Sequence, residues 1–94
     1  YEINITYFDA LKGTADGVDD FQTERFLCSQ TIMMALKGIP AFYIHSMLAT
    51  PNDQQGVEKT SKYRAINRKT LVMEDIKSSM EDSNSNTYKV FFFF

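Results

Sequence analysis

Residues 39–46, IPAFYIHS, are almost entirely apolar and show no alternation, and this run constrains the fold more than any other part of the 94-residue chain. Strands of parallel sheets read this way because helices cover both their faces, whereas a strand with one wet face alternates. The run follows a helical stretch closed by Gly38. A helix, a tight glycine turn and such a strand make the αβ half of a βαβ unit. A parallel strand needs neighbours on both sides, and no second stretch of the chain has the same quality. The expectation is a piece of a larger α/β protein, with a strand from Ile39 to His45.

The helix before it has the clearest signals. Asp19 stands where it can cap, with Gln22 at the third helical position, and Gly38 stands where a closing glycine takes a positive φ. Between them Phe26, Leu27, Met33, Met34 and Leu36 recur at helical spacing. The face is read as a packing face, with Cys28 as a small buried hydrophobe. A Cys28 nucleophile paired with His45 is the weaker alternative, because nothing near either residue supplies an orienting acid. Upstream, YEINITYF fits a short strand or an extended loop, and LKGTADGVDD has the composition of a loop. Downstream, Val72 or Met73, Ile76 and Met80 predict a short amphipathic helix, SNSN a turn or helix start, and TYKVF the beginning of another element. Phe91 to Phe94 read as an apolar tail, either a truncation or frameshift scar or a buried C-terminal strand. The expected domain is therefore residues 1–90, with residues 91–94 as the tail.

Charge and cysteine content narrow the partners. The net charge of -2 and a pI near 5.2 offer no electrostatic footprint for nucleic acid or an anionic membrane. The apolar runs fall short of the roughly 20 residues of a membrane helix, and the N-terminal residues lack the pattern of a signal peptide. A single cysteine forms no internal disulfide, which fits a reducing compartment. A cytoplasmic location is expected. No His, Cys and carboxylate cluster has metal spacing and no glycine-rich loop follows a strand, so neither a metal nor a nucleotide cofactor is expected.

Three blocks carry a family resemblance: YEINITYFDAL (residues 1–11), RFLCSQTIMMALKGIPAFYIHSMLATPND (25–53) and GVEKTSKYRAINRKTL (56–71). In this order they resemble the sucrose phosphorylase group of the α-amylase superfamily, glycoside hydrolase family thirteen. The pattern G-x-P-x-x-Y is superfamily-wide, and the Asn52-Asp53 pair followed by R-x-I-N-R from Arg64 is the narrower signature. The resemblance implies a fragment of a (β/α)₈ barrel, an α/β fold whose active site lies at the C-terminal ends of the strands. Tyr1 to Leu11 would follow the seventh strand, Phe21 to Lys37 form the seventh helix and Ile39 to His45 the eighth strand, with the eighth helix beginning after it.

Members of that group transfer a glucosyl unit from a glucoside to inorganic phosphate by a retaining double displacement. The resemblance places the nucleophile, the acid/base and a third aspartate on strands before Tyr1. The chain alone is therefore expected to be inactive and to need the rest of the barrel. It implies substrate-wall roles for Arg64, as the arginine that binds the glucosyl unit through its fixed fork of donors, and for Tyr1 and Glu2, on a loop lining the acceptor and phosphate side. Glu2 stands where sucrose phosphorylases have glutamine, which makes relatives acting on glucosylglycerate, glucosylglycerol or a phosphorylated sucrose the better match. Asn52 and Asp53 read as either site residues or an ordinary turn, and His45 as either a strand-end site residue or a structural histidine. A hydrolase of the same superfamily and a small non-catalytic α/β module are the alternatives.

Overall fold

A computed structural model describes residues 3–94. Its elements are helix α1 (Tyr7–Ala10), strands β1 (Gly13–Thr14) and β2 (Gly17–Val18), and helices α2 (Gln22–Ala35), α3 (Ile44–Met47) and α4 (Gln54–Thr60). A 3₁₀ helix (Tyr63–Asn67), α5 (Met73–Glu81) and α6 (Asn86–Phe91) complete it. The domain is α-rich, and among the described residues its only sheet is the two-stranded antiparallel hairpin, with Gly13 opposite Val18 and Thr14 opposite Gly17. A Cβ on Gly13 would run into the Gly17 carbonyl, so the strands meet this closely only because that side chain is missing.

Local chemistry sets the boundaries. Thr6 opens α1 by accepting from the Asp9 N–H (3.2 Å), so the N-terminal segment turns helical at Tyr7 where a strand or loop was expected. Asp19 does not cap α2. It accepts from the Phe21 N–H (3.0 Å) and pairs with Arg25 (2.5 Å), closing the turn before the helix, while Gln22 donates to the Phe8 carbonyl (3.0 Å) and ties α2 to α1. Helix α2 stops before the expected closing glycine: Leu36 flanks its end in an extended conformation, and Gly38 takes its positive φ of +134° two residues further on. Ser85 caps α6 through the Tyr88 N–H (3.0 Å), in agreement with the SNSN signal, and α5 forms with Ile76 and Met80 half-buried.

The core is small. Phe26 is fully buried and packs edge-on against Phe8 (5.5 Å) and Tyr7 (5.3 Å), with Ala49 and Val90 closing the cluster and Leu11 and Leu27 at its margin. Of the expected helix face Phe26 alone is buried, Leu27 and Met33 are half-buried, Met34 and Leu36 are exposed, and Cys28 is exposed rather than buried. The core reaches only the first half of α2.

The predicted strand is the main correction. Residues 39–43 form no strand and the chain turns into α3 at Ile44, with the Tyr43 carbonyl accepting from Ser46 and Met47 (2.9 and 3.1 Å). Ile39 is 97% exposed and Tyr43 and Ile44 are about half exposed. A parallel strand exists only through hydrogen bonds to neighbours, and no partner ladder is present among the described residues. The C-terminal phenylalanines form no buried strand either: Phe91 ends α6, and Phe94 rests on Phe42 (4.7 Å) while staying 39% exposed. The accessible surface is 7077 Å², against about 5,500 Å² for an ordinary monomer of 10.8 kDa. The surplus is carried by apolar side chains such as Leu36, Ile39, Tyr43 and Ile44.

Candidate functional site

Two clefts lie side by side where the N-terminal segment crosses the middle of the chain. Ile3, Ile5 and Tyr7 line the first, of about 470 Å³, together with Tyr43, His45 and Asn67. Asn4 faces the second, of about 610 Å³, whose other walls include Lys62, Tyr63, Arg64 and Arg68. The 3₁₀ helix contributes to both, with Asn67 on one side and Tyr63 to Ala65 on the other.

His45 is 7% exposed and its Nδ1 lies 3.1 Å from the Thr50 hydroxyl, with the Tyr43 ring edge-on at 5.1 Å. Burial holds its pKa below the ordinary 6.5, so it is a neutral, hydrogen-bonded imidazole bordering the first cleft. A base whose folded pKa is lowered binds its proton more readily in the unfolded chain, so stability falls as pH drops through about 6.5 toward the lower folded value. The urea midpoint is expected to be lower at pH 5 than at pH 7.5. His45→Gln should reduce that difference, and an unchanged pH dependence in the variant would remove His45 as its source.

Asn52 and Asp53 hold the site together from behind. The Asn52 side-chain oxygen accepts from the Thr6 N–H (2.8 Å), and the Asn52 N–H donates to the Asp9 carboxylate (2.7 Å). The Asp53 carboxylate caps α4 through the Gly56 N–H (3.1 Å), and its own N–H donates to the Ile66 carbonyl (2.9 Å). The pair thus fastens the N-terminal segment and the 3₁₀ helix to the same loop. Asn52→Ala leaves the N–H of buried Thr6 unpartnered, which costs roughly 2 kcal/mol and lowers Tm by on the order of 10 °C in a domain this size. A shift below about 3 °C would mean that this bond is not maintained in solution.

Arg64 is exposed on the 3₁₀ helix and lines the second cleft with Lys62 and Arg68 at the helix ends. Tyr1 and Glu2 lie outside the described residues. The structure therefore places His45 at one cleft, Arg64 at the other, and Asn52 and Asp53 beneath the segment that divides them. Sequence reasoning missed Asp9, whose carboxylate also receives the Gln22 amide (3.2 Å), and Tyr43, whose hydroxyl donates to the Asn67 carbonyl (3.3 Å). Their partners lie 13 to 43 residues away, and no local pattern announces them. Among the described residues no three His, Cys, Asp or Glu side chains stand together as a metal cage, and no helix is long and apolar enough to cross a membrane. The arrangement supplies parts for recognition: aromatic rings, a neutral imidazole and a cationic wall.

Comparison with known proteins adds the wider context. The chain is 38% identical over 91 residues, 97% of its length, to the glucosylglycerate phosphorylase of Escherichia coli. It is 38% identical over 92 residues to the glucosylglycerate phosphorylase of Spirochaeta thermophila. A sucrose phosphorylase of Streptococcus mutans is 36% identical over 76 residues, 81% of the chain. The chain spans only 16%, 15% and 14% of the lengths of these relatives. No family model matches it, and no solved structure does.

Proposed function

We propose, from the premise that this chain belongs to the phosphorylase family of the glucosylglycerate and sucrose phosphorylases, that it forms part of the sugar-binding wall of an enzyme transferring glucosyl to inorganic phosphate. The observation that carries the reading is the similarity along nearly the whole chain to glucosylglycerate phosphorylases. In the larger enzyme Phe21 to Lys37 and Ile39 to His45 would be the seventh helix and eighth strand of a (β/α)₈ barrel. The apolar surface of residues 36–44 supports this: it is the surface that neighbouring strands and helices would cover.

The roles follow from chemistry. In a retaining mechanism one carboxylate attacks the anomeric carbon and another acid protonates the leaving oxygen, and phosphate then releases the glucosyl group. Those carboxylates belong to other parts of the enzyme. Arg64 holds the glucosyl hydroxyls, because a guanidinium presents several donors in a fixed plane. Tyr1 and Glu2 lie on the acceptor side, and His45, Asn52 and Asp53 shape the adjoining loop. A glucosylglycerate-type donor is favoured over sucrose because Glu2 replaces the glutamine of sucrose phosphorylases. The glucosylglycerate relatives also match 97% of the chain, against 81% for the sucrose phosphorylase.

The test exchanges the matching segment of the Escherichia coli glucosylglycerate phosphorylase for this chain. The chimera is expected to release glucose 1-phosphate from glucosylglycerate and phosphate, while the 94-residue chain alone releases none. A chimera that keeps the parent's circular dichroism and melting yet has no turnover would overturn the reading, as would turnover by the isolated chain.

A further inference from the structure

We infer that Asp9 is a positioning residue: by clasping the Asn52 loop and α2 to α1, its carboxylate fixes the segment that divides the two clefts, and with it the acceptor side of the site. The effect on turnover rests on the phosphorylase reading above, whereas the clasp itself rests on geometry alone. Residues 3–7 form the shared wall, with Ile3, Ile5 and Tyr7 lining one cleft and Asn4 the other. Tyr1 and Glu2, assigned above to the acceptor side, precede this segment directly. The segment runs into α1, a helix of four residues, which is too short to hold a position by itself. Contacts from elsewhere must place it.

Thr6 caps α1, and Asp9 stands three residues further on. In a capping box an acid at that position turns back to accept the cap residue's N–H. Here the Asn52 side chain takes the Thr6 N–H (2.8 Å), and Asn52 gives its own N–H to the Asp9 carboxylate (2.7 Å). A local motif has become a clasp between residues 43 apart in the chain. The other carboxylate oxygen accepts from the Gln22 amide (3.2 Å), which also donates to the Phe8 carbonyl (3.0 Å). Both groups aimed at the Asp9 side chain are therefore donors, and a carboxylate satisfies them because it accepts through both oxygens. An amide of the same shape fails in either orientation, since its NH₂ meets the Asn52 N–H or the Gln22 NH₂. If Gln22 turns its amide over, its oxygen meets the Phe8 carbonyl instead. The clasped loop continues into Asp53, whose N–H is bonded to the 3₁₀ helix at Ile66 (2.9 Å). Asp9 lines neither cleft, and it acts through these bonds on how the dividing segment stands against the helix that carries Arg64.

The test uses the chimeric phosphorylase in the synthetic direction, with glucose 1-phosphate and glycerate as substrates and phosphate release as the signal, and amide hydrogen exchange of the whole chain alongside. Asp9→Asn is expected to raise KM for glycerate about tenfold, while KM for glucose 1-phosphate stays within about twofold and the melting temperature within about 3 °C. A merely structural loss would lower kcat through less folded enzyme and leave both KM values alone. Gln22→Met removes the clashing donor, so the pair Asp9→Asn/Gln22→Met should recover at least about threefold of the loss. Asp16→Asn, at an exposed carboxylate in the turn between β1 and β2, should change nothing. In the whole chain Asp9→Asn should speed exchange of the Asn52 amide at least about tenfold, and Asp16→Asn should not. An unchanged KM for glycerate, equal rises in both KM values, or additive losses in the pair would overturn the positioning role. A parent chimera without turnover would remove the phosphorylase reading instead, and exchange then decides: a faster Asn52 amide keeps the clasp, and an unchanged one removes it.

Discussion

Phe26→Ala is expected to unfold the chain. Phe26 is the largest fully buried side chain and the ring on which Tyr7 and Phe8 pack edge-on. Truncating such a side chain costs about 3–5 kcal/mol through lost burial and the cavity left behind. A folded chain of this size has only about 5–14 kcal/mol of stability in total, and the surplus exposed surface puts this one toward the lower end. The loss comes from a core in which only Phe8, Ala49 and Val90 accompany Phe26, so no neighbour can move in to fill the space. Thermal melting followed by circular dichroism should change from a sigmoidal transition to a gradual slope. Phe92→Ala, at a residue 60% exposed, should stay within about 0.5 kcal/mol of the parent chain. A Phe26→Ala variant melting within about 5 °C of the parent would mean that these helices do not pack around Phe26.

Arg64→Lys carries the second large effect, in the chimeric phosphorylase. Lysine keeps the positive charge and loses the planar fork, so a purely electrostatic role would survive the change and a geometric one would not. Arg64 stands on the exposed face of the 3₁₀ helix and borders the cleft, so the replacement removes no buried packing. A fall in kcat/KM of about 100-fold is expected, equivalent to about 2.7 kcal/mol of lost transition-state stabilisation. Lys77→Ala, on the exposed face of α5, should leave the rate unchanged. If Arg64→Lys stays within twofold of the parent chimera at unchanged melting temperature, the glucosyl-binding role of Arg64 is wrong.

Elements whose cause lies within a few residues were legible in the sequence. Helix α2 formed where apolar spacing placed it, although it stops at Ala35 with an extended Leu36, short of Gly38; α5 followed the spacing of Ile76 and Met80, and Ser85 capped α6. Asp19 is engaged elsewhere than at the helix cap. Its carboxylate had Arg25 within reach, and a charged donor competes strongly for an acceptor that would otherwise cap the helix. The guanidinium and the Phe21 N–H hold the Asp19 carboxyl below its ordinary value, the mark of an acceptor already engaged.

The candidate site divides the same way. That residues 59–69 are cationic and that the R-x-I-N-R stretch belongs with the phosphorylases depend on residue order alone, and the chain determines them by itself. Whether Asn52 touches ligand or backbone depends on contacts across more than 40 residues, and whether His45 is charged depends on its burial, so only the tertiary structure decides them. The apolar run at residues 39–44 shows why. Its composition calls for burial, but a strand is a relation between segments. Without a neighbouring ladder among the described residues Ile39, Ala41 and Tyr43 stand exposed between α2 and α3, because hydrogen bonds that make a sheet must come from outside the strand.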